Sequence, residues 1–245
     1  MSVETTILLA LAVTVVAFLY STVGHAGASG YIAVMTLFGL AATTIRPTAL
    51  VLNILVSLLT TWQFWRSGHF SWRLFWPFAL LAVPLAFVGG YVSLPTHVFK
   101  VIIGVVLLAS AARLIARPAP DTVEREVSRP MALSVGGALG LLAGLTGTGG
   151  GIFLTPVLLF MRWAKTKQAA ATSAAFILVN SVAGLAGNFS ATRSIPGVAL
   201  TLTGAALAGG AAGSYLGARQ FDHTVIKRML AVVLVIAGVK LIFTV

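Results

Sequence analysis

The sequence predicts an all-α polytopic membrane protein of about 8–10 transmembrane or half-membrane helices, arranged in two inverted repeats. The 245 residues are 58% hydrophobic and 9% charged, whereas soluble domains carry about 25% charged residues. No acidic residue occurs between Glu4 and Asp121, a stretch that can hold several spans of about 20 residues. Two glycine-rich interruptions also recur about 123 residues apart, at corresponding places in the two halves.

The net charge of +11 does not indicate nucleic acid, because the basic residues lie in short loops between apolar runs, as in membrane proteins. The chain has no cysteine, which excludes disulfides and thiolate metal sites, and nothing predicts a cofactor. The N-terminus Met-Ser-Val-Glu lacks the basic region of a cleaved signal peptide. We therefore expect the first apolar segment to be a retained helix.

Ten apolar segments can be marked along the chain. They cover approximately residues 5–22, 31–45, 47–65, 72–91, 99–115, 131–146, 151–161, 168–188, 196–216 and 224–243. Segments two and seven are short for a bilayer crossing, and each directly follows a glycine-rich interruption. Residues 117–130 form the polar linker between the halves, with three of the five acids.

The two halves match each other in order. Gly24, Ala26, Gly27 and Val34 align with Gly147, Gly149, Gly150 and Val157, and further polar and basic matches follow in both halves. A series of this kind indicates duplication. The sequence thus predicts a first transmembrane repeat at 1–116, a cytoplasmic linker at 117–130 and a second repeat at 131–245.

The positive-inside rule selects the topology. With the linker in the cytoplasm and an odd number of crossings in each half, only Arg46, Lys100, Arg193 and Lys240 fall outside. Twelve basic residues then fall inside: Arg66, Arg73, Arg113, Arg117, Arg125, Arg129, Arg162, Lys165, Lys167, Arg219, Lys227 and Arg228. An even number of crossings in each half would divide the basic residues equally between the two sides. The odd number makes the repeats inverted, with both termini outside, and leaves open whether segments one and two form a re-entrant hairpin.

The glycine-rich interruptions predict an anion site. A helix that begins at such a loop exposes unpaired backbone N–H groups and the positive end of its dipole, and paired breaks in two halves point to a transporter's substrate site. The candidate ligands are Gly24, His25, Gly27, Ser29 and Gly30 in the first break and Gly147, Thr148, Gly149, Gly150 and Gly151 in the second. A flexible turn, or small residues for close helix packing, is the alternative. No basic residue lies deep inside a segment, which favours weak and reversible binding.

Polar residues inside the segments supply further candidates. His25 is either a neutral histidine bonded to the backbone or a ligand donor or proton carrier. Thr48 and Asn53 in segment three, with Thr172, Ser173 and Asn180 in segment eight, either line the substrate path or hydrogen-bond between helices.

At these residues the chain resembles the sulfite exporter TauE/SafE family of membrane transporters. The resemblance rests on Gly147–Gly151 followed by Leu154-Thr155-Pro156, on Ala171-Thr172-Ser173, and on the two-half layout. It implies a carrier for sulfite, organosulfonates or other small organic anions in a prokaryotic cytoplasmic membrane. The first half departs from the family's glycine triplet, since Ala26 and Ala28 replace two glycines.

The sequence also leaves two other functions open. Gly27-Ala-Ser-Gly30 looks like the nucleophile motif of rhomboid intramembrane proteases, with Ser29 as nucleophile, but such an enzyme needs a histidine base on another helix. An anion channel is the second alternative. A carrier would have a small anion and the bilayer as partners. A coupling ion (H⁺ or Na⁺) and a homo-oligomer are compatible with the sequence.

Overall fold

The computed structural model describes residues 2–92, 97–116, 121–123, 125–193 and 196–243. Arg117 and Glu124 of the linker lie outside these ranges. The described chain is helical and contains no strand. Its helices are α1 (Val3–Ser21), α2 (Ala28–Leu37), α3 (Ala42–Arg66), α4 (Trp72–Tyr91), α5 (His97–Ala116), α6 (Arg129–Thr146), α7 (Gly151–Phe160), α8 (Thr166–Thr192), α9 (Val198–Tyr215) and α10 (His223–Phe243), with a π-helical turn, Leu216–Gln220, after α9.

This architecture confirms an all-α polytopic membrane protein. Four of the described helices are long and apolar enough to cross a membrane: Val3–Ser21, Thr43–Arg66, Trp72–Tyr91 and Thr166–Thr192. Of these four, the spans in α3 and α8 are the most buried. These two helices therefore form the centre of the protein.

The predicted second segment, 31–45, is wrong at both ends. Helix α2 begins at Ala28, directly after Gly27 with its φ of 107°, and ends at Leu37. The chain then turns at Gly39, whose φ is +72°, and α3 starts at Ala42, so that Pro47 lies inside this helix. Glycine and not proline therefore sets these boundaries, because a left-handed residue ends the helical hydrogen-bond pattern.

Two helix pairs pack in parallel along ladders of glycine. A Cβ atom added to Gly209 or Gly213 of α9 would collide with the backbone carbonyls of Thr14 and Phe18 in α1, and one added to Gly217 of the following π-helical turn with that of Thr22. In the same way Gly136, Gly140 and Gly144 of α6 lie on Phe78, Ala82 and Ala86 of α4. Because lipid provides no hydrophobic driving force between helices, such small residues favour close backbone approach.

The largest helix contacts repeat when the two halves are exchanged. The α1–α9 pair corresponds to α6–α4, the α3–α9 pair to α8–α4, and the α2–α3 pair to α7–α8. The α3–α8 and α5–α10 pairs correspond to themselves. The short helices α2 and α7, which follow the breaks, therefore both lie against the central pair.

Candidate functional site

The two predicted breaks are real interruptions between helices, with slightly different limits. The first covers residues 22–27 and the second residues 147–150. Ser29 and Gly30 belong to the first turn of α2, which corrects the predicted loop at 24–30. Every residue from 21 to 31 and from 147 to 156 is buried. Both breaks therefore lie inside the protein.

The second break lies level with the middle of the central helices. A Cβ atom on Gly149 would lie 2.8 Å from Ile177 Cγ2 and from Ser181 Oγ, and 2.9 Å from Asn53 Nδ2. Ile177 and Ser181 flank the midpoint of the 27-residue α8, and Asn53 lies next to the midpoint of the 25-residue α3. Since both helices are candidate spans, this position corresponds to membrane depth.

The first break contacts the second half of the chain. Gly24 packs on the backbone of Ala170 in α8, where a Cβ atom would collide. His25 Nε2 lies 2.8 Å from Thr155 Oγ1 in α7, and Thr155 in turn donates to Ser173 Oγ of α8 at 2.7 Å. His25, Ser173 and the first turns of α7 thus form one buried polar chain that joins the two halves.

Both breaks leave backbone donors without acceptors. In the part of the chain that the structure describes, no hydrogen-bond acceptor is found for the backbone N–H groups of residues 26–30 and 148–152. Free N–H groups are normal at a helix N-terminus exposed to water, but buried ones call for a partner. Backbone amides at two buried helix N-termini are therefore available to an anion.

Around the second break, side-chain amides add polar atoms. Asn53 Nδ2 lies 3.4 Å from the Thr148 carbonyl and 3.3 Å from Ser181 Oγ. The Oδ1 atom of Asn53 and the whole amide of Asn180 are buried with no partner among the described residues. Asn180 lies three residues after Ile177 and therefore on the same side of α8. Thr148 Oγ1 bonds Thr146 Oγ1 at 2.8 Å.

Two of the predicted side chains do not reach the breaks through hydrogen bonds. Thr172 donates to the Gln168 carbonyl within α8. Thr48 is buried, but its hydroxyl has no partner in the described chain. Of the Thr172-Ser173 pair, Ser173 is the residue that takes part in the hydrogen bonds of the site.

The first break is lined by tyrosines that the sequence analysis missed. Ser29 Oγ donates to Tyr20 Oη at 2.9 Å, and Tyr31 Oη donates to the Ala26 carbonyl at 2.6 Å. The Tyr31 ring also covers Gly27, and Gly30 packs on Val16. Because Ser29 is bonded to a tyrosine and His25 to a threonine, the serine–histidine pair that a protease requires is not formed in the described structure.

Arg46 also escaped the sequence analysis, which assigned it to an outside loop. The structure places it in the second turn of α3, half-buried, with Nη2 donating to the carbonyls of Gly89, Gly90 and Gly144. Its Cγ atom packs on Gly147, 2.9 Å from the position of an added Cβ. A basic side chain therefore does lie against a glycine break. The sequence analysis missed this contact because it predicted the start of α3 too late in the chain.

Comparison with known proteins agrees with this architecture. The sulfite exporter TauE/SafE family matches residues 9–241. A protein of Sinorhizobium fredii (strain NBRC 101917 / NGR234), named "Probable membrane transporter protein y4hK", is 40% identical over 240 residues, which cover 96% of this chain and 97% of the relative. No solved structure matches the chain significantly. The chain therefore belongs to the sulfite exporter TauE/SafE family and is a multi-pass membrane transporter.

Proposed function

We propose that the protein is a secondary carrier for a small anion, such as sulfite, an organosulfonate or a related organic anion. The anion is held by backbone N–H groups at the start of α2 and α7, with Ser29, Thr148, Asn53 and Ser173 as polar neighbours. The sulfur-containing substrates are inferred from the name of the family, and the affinity for negative charge is inferred from the glycine breaks.

One observation carries this proposal: buried backbone amides without acceptors occur at both breaks. The His25–Thr155–Ser173 contacts also connect the first break to the second half of the chain. Dipoles without a formal charge can bind an anion and also release it. His25 is the titratable group in this polar chain, so it is the candidate for proton coupling. Na⁺ is the other candidate coupling ion.

Alternating access follows from the duplicated layout. The repeats at 1–116 and 131–245, joined by the cytoplasmic linker at 117–130, are inverted and place both termini outside. Movement of one repeat against the other then exposes the central site to each side in turn. The matching helix contacts of the two halves support this arrangement.

Binding is tested first, with purified protein and sulfite, sulfate and methanesulfonate in calorimetry or thermal-shift measurements. We expect saturable stabilisation by at least one of these anions, because a ligand that binds only the folded state raises its stability. Potassium and sodium chloride at equal ionic strength are the controls. Binding of cations, with none of the three anions bound, would refute the anion assignment.

Counterflow in proteoliposomes then separates a carrier from a channel. Substrate on the opposite side should accelerate uptake of labelled substrate, since a carrier returns faster when it is loaded. Uptake that is unaffected by opposite-side substrate and follows the voltage alone would favour the channel.

A further inference from the structure

We propose that Arg46 is a specificity-determining residue of the second break, selecting anions over neutral solutes of the same shape. This inference rests on the proposed anion carrier and adds a residue that the breaks alone do not provide. It assigns the selective contact to the Nε–H group of Arg46. The neighbouring nitrogen Nη2 of the guanidinium is anchored by backbone carbonyls.

The anchor is a set of backbone carbonyls at two helix C-terminal ends. Arg46 Nη2 lies 2.8 Å from the Gly89 carbonyl and 3.2 Å from the Gly90 carbonyl at the end of α4, and it also donates to Gly144 near the end of α6. The negative ends of these helices favour a cation here. Because one nitrogen bonds both α4 and α6, the guanidinium is held in one orientation.

The Nε–H group, which lies on the same edge of the guanidinium as Nη2, has no partner among the described residues. Arg46 Nε is also buried. It is bonded to Cδ, which lies 3.8 Å from the Cβ position of Gly147, while Cγ lies at 2.9 Å. Residues 148–152, whose backbone amides have no acceptor, follow Gly147 directly in the sequence. A fixed planar donor beside several backbone donors suits an oxyanion.

Among the described residues, no positively charged side chain is found in contact with the first break. Its corresponding contact is Gly24 against Ala170, and Ala170 occupies on α8 the place that Arg46 occupies on α3. Within the described ranges, the positive group found at this pseudo-symmetric site is Arg46, against the second break. The backbone carbonyls that are bonded to Arg46 offset part of its positive charge. Arg46 therefore attracts the anion less strongly, and the anion can still be released.

The test uses two ligands of nearly equal shape that differ by one charge, methanesulfonate and the neutral dimethyl sulfone. For the wild-type protein we expect binding of methanesulfonate and little binding of dimethyl sulfone. Arg46→Met should weaken methanesulfonate about 10- to 100-fold, the range expected for loss of a hydrogen bond to a charged group, and leave dimethyl sulfone unchanged. Arg46→Lys keeps the charge without Nε, and should weaken methanesulfonate to a smaller extent.

Lys167→Met is the matched control, because Lys167 Nζ donates to the Ala218 carbonyl at 3.3 Å, after α9. Like Arg46, this cation caps a helix end, but among the described residues no contact of its side chain with either break is found. Its removal should lower the melting temperature without changing the methanesulfonate dissociation constant. If both Arg46 variants lose stability yet keep the wild-type dissociation constant, Arg46 is only a helix cap and the inference is wrong. If the wild-type protein binds no anion at all, the proposed function itself fails.

Discussion

At the scale of single residues, Gly149 is a candidate glycine that contacts both central helices and leaves no room for a side chain. Its φ is +73°, and an added Cβ would lie within 2.9 Å of Ile177, Ser181 and Asn53. Gly149→Ala should therefore abolish anion binding, because the break must shift away from α3 and α8 and its amides lose their direction. Calorimetry with methanesulfonate measures the effect.

Gly204→Ala provides the control for this substitution. Gly204 lies in the interior of α9 with no atom within 4 Å of the added Cβ. We expect unchanged binding and equal or slightly higher stability, since alanine is the better helix former by about 1 kcal/mol. Normal binding by Gly149→Ala would show that the geometry of the second break is not needed.

Thr155 connects His25 to Ser173 and tests whether the polar chain between the halves matters. Thr155→Val preserves the shape but leaves two buried polar groups without a partner, at a cost of about 1–3 kcal/mol each. We expect a clearly lower melting temperature and weaker anion binding. Thr201→Val, at an exposed threonine bonded within its own helix region, should change neither. Equal melting temperatures for the two variants would contradict the role of Thr155.

At the scale of helices, the start of α8 is tied to the linker by Asp121. Its carboxylate accepts hydrogen bonds from Thr166 N at 2.7 Å and Thr166 Oγ1 at 2.6 Å, and it lies 3.8 Å from Lys227 Nζ. Burial alone would raise the pKa of Asp121, but the Thr166 hydrogen bonds and the charges of Lys227 and His223 bring this pKa below its ordinary value. The linker is thus held against the helix that carries Ser173 and Asn180.

Asp121→Asn should destabilise the protein by about 1 kcal/mol at neutral pH, less than a buried pair would because the side chain is partly solvent-exposed. The lowered pKa in the folded state means that the stabilisation is present above the unfolded pKa, near 4, and disappears as the pH falls through the folded value. Melting temperatures of wild type and variant should therefore differ at pH 7 and converge once the pH lies below the folded-state pKa.

Glu126→Gln is the control for this pH series, because Glu126 pairs with Arg73 at 3.0 Å while both side chains are at least 80% exposed. Such a surface ion pair contributes little, so we expect no measurable change. A constant difference between wild type and Asp121→Asn from pH 7 to a pH below the folded-state pKa would contradict the assigned role of the carboxylate.

At the scale of the whole molecule, the inverted topology can be tested directly because the chain has no cysteine. Single cysteines at Lys165 and Arg193, which precede and follow α8 and are both exposed, should react with a membrane-impermeant maleimide from opposite sides. We expect Arg193→Cys to be labelled in intact cells and Lys165→Cys only after permeabilisation. The reverse pattern would place the linker outside and overturn the topology.

Much of this architecture could be predicted because lipid imposes strong local rules. Apolar runs, basic loops and paired glycine breaks are each visible within short stretches, so the helices α4 and α6 and both breaks were found within a few residues. The start of α3 was misplaced, because the turn at Gly39 divides an apolar stretch that reads as continuous. Arg46 was then counted as an outside residue, although the helix brings it against Gly147.

Hydropathy and glycine act locally, so the amino-acid sequence was enough to predict a helical membrane protein with two matching breaks. The contacts between distant segments came from the three-dimensional packing: His25 with Thr155, Gly149 with α3 and α8, and Arg46 with three carbonyls. These contacts join residues about 30 to 130 positions apart, and no periodic pattern specifies them. They depend on the close approach that the glycine ladders of α6 and α9 permit.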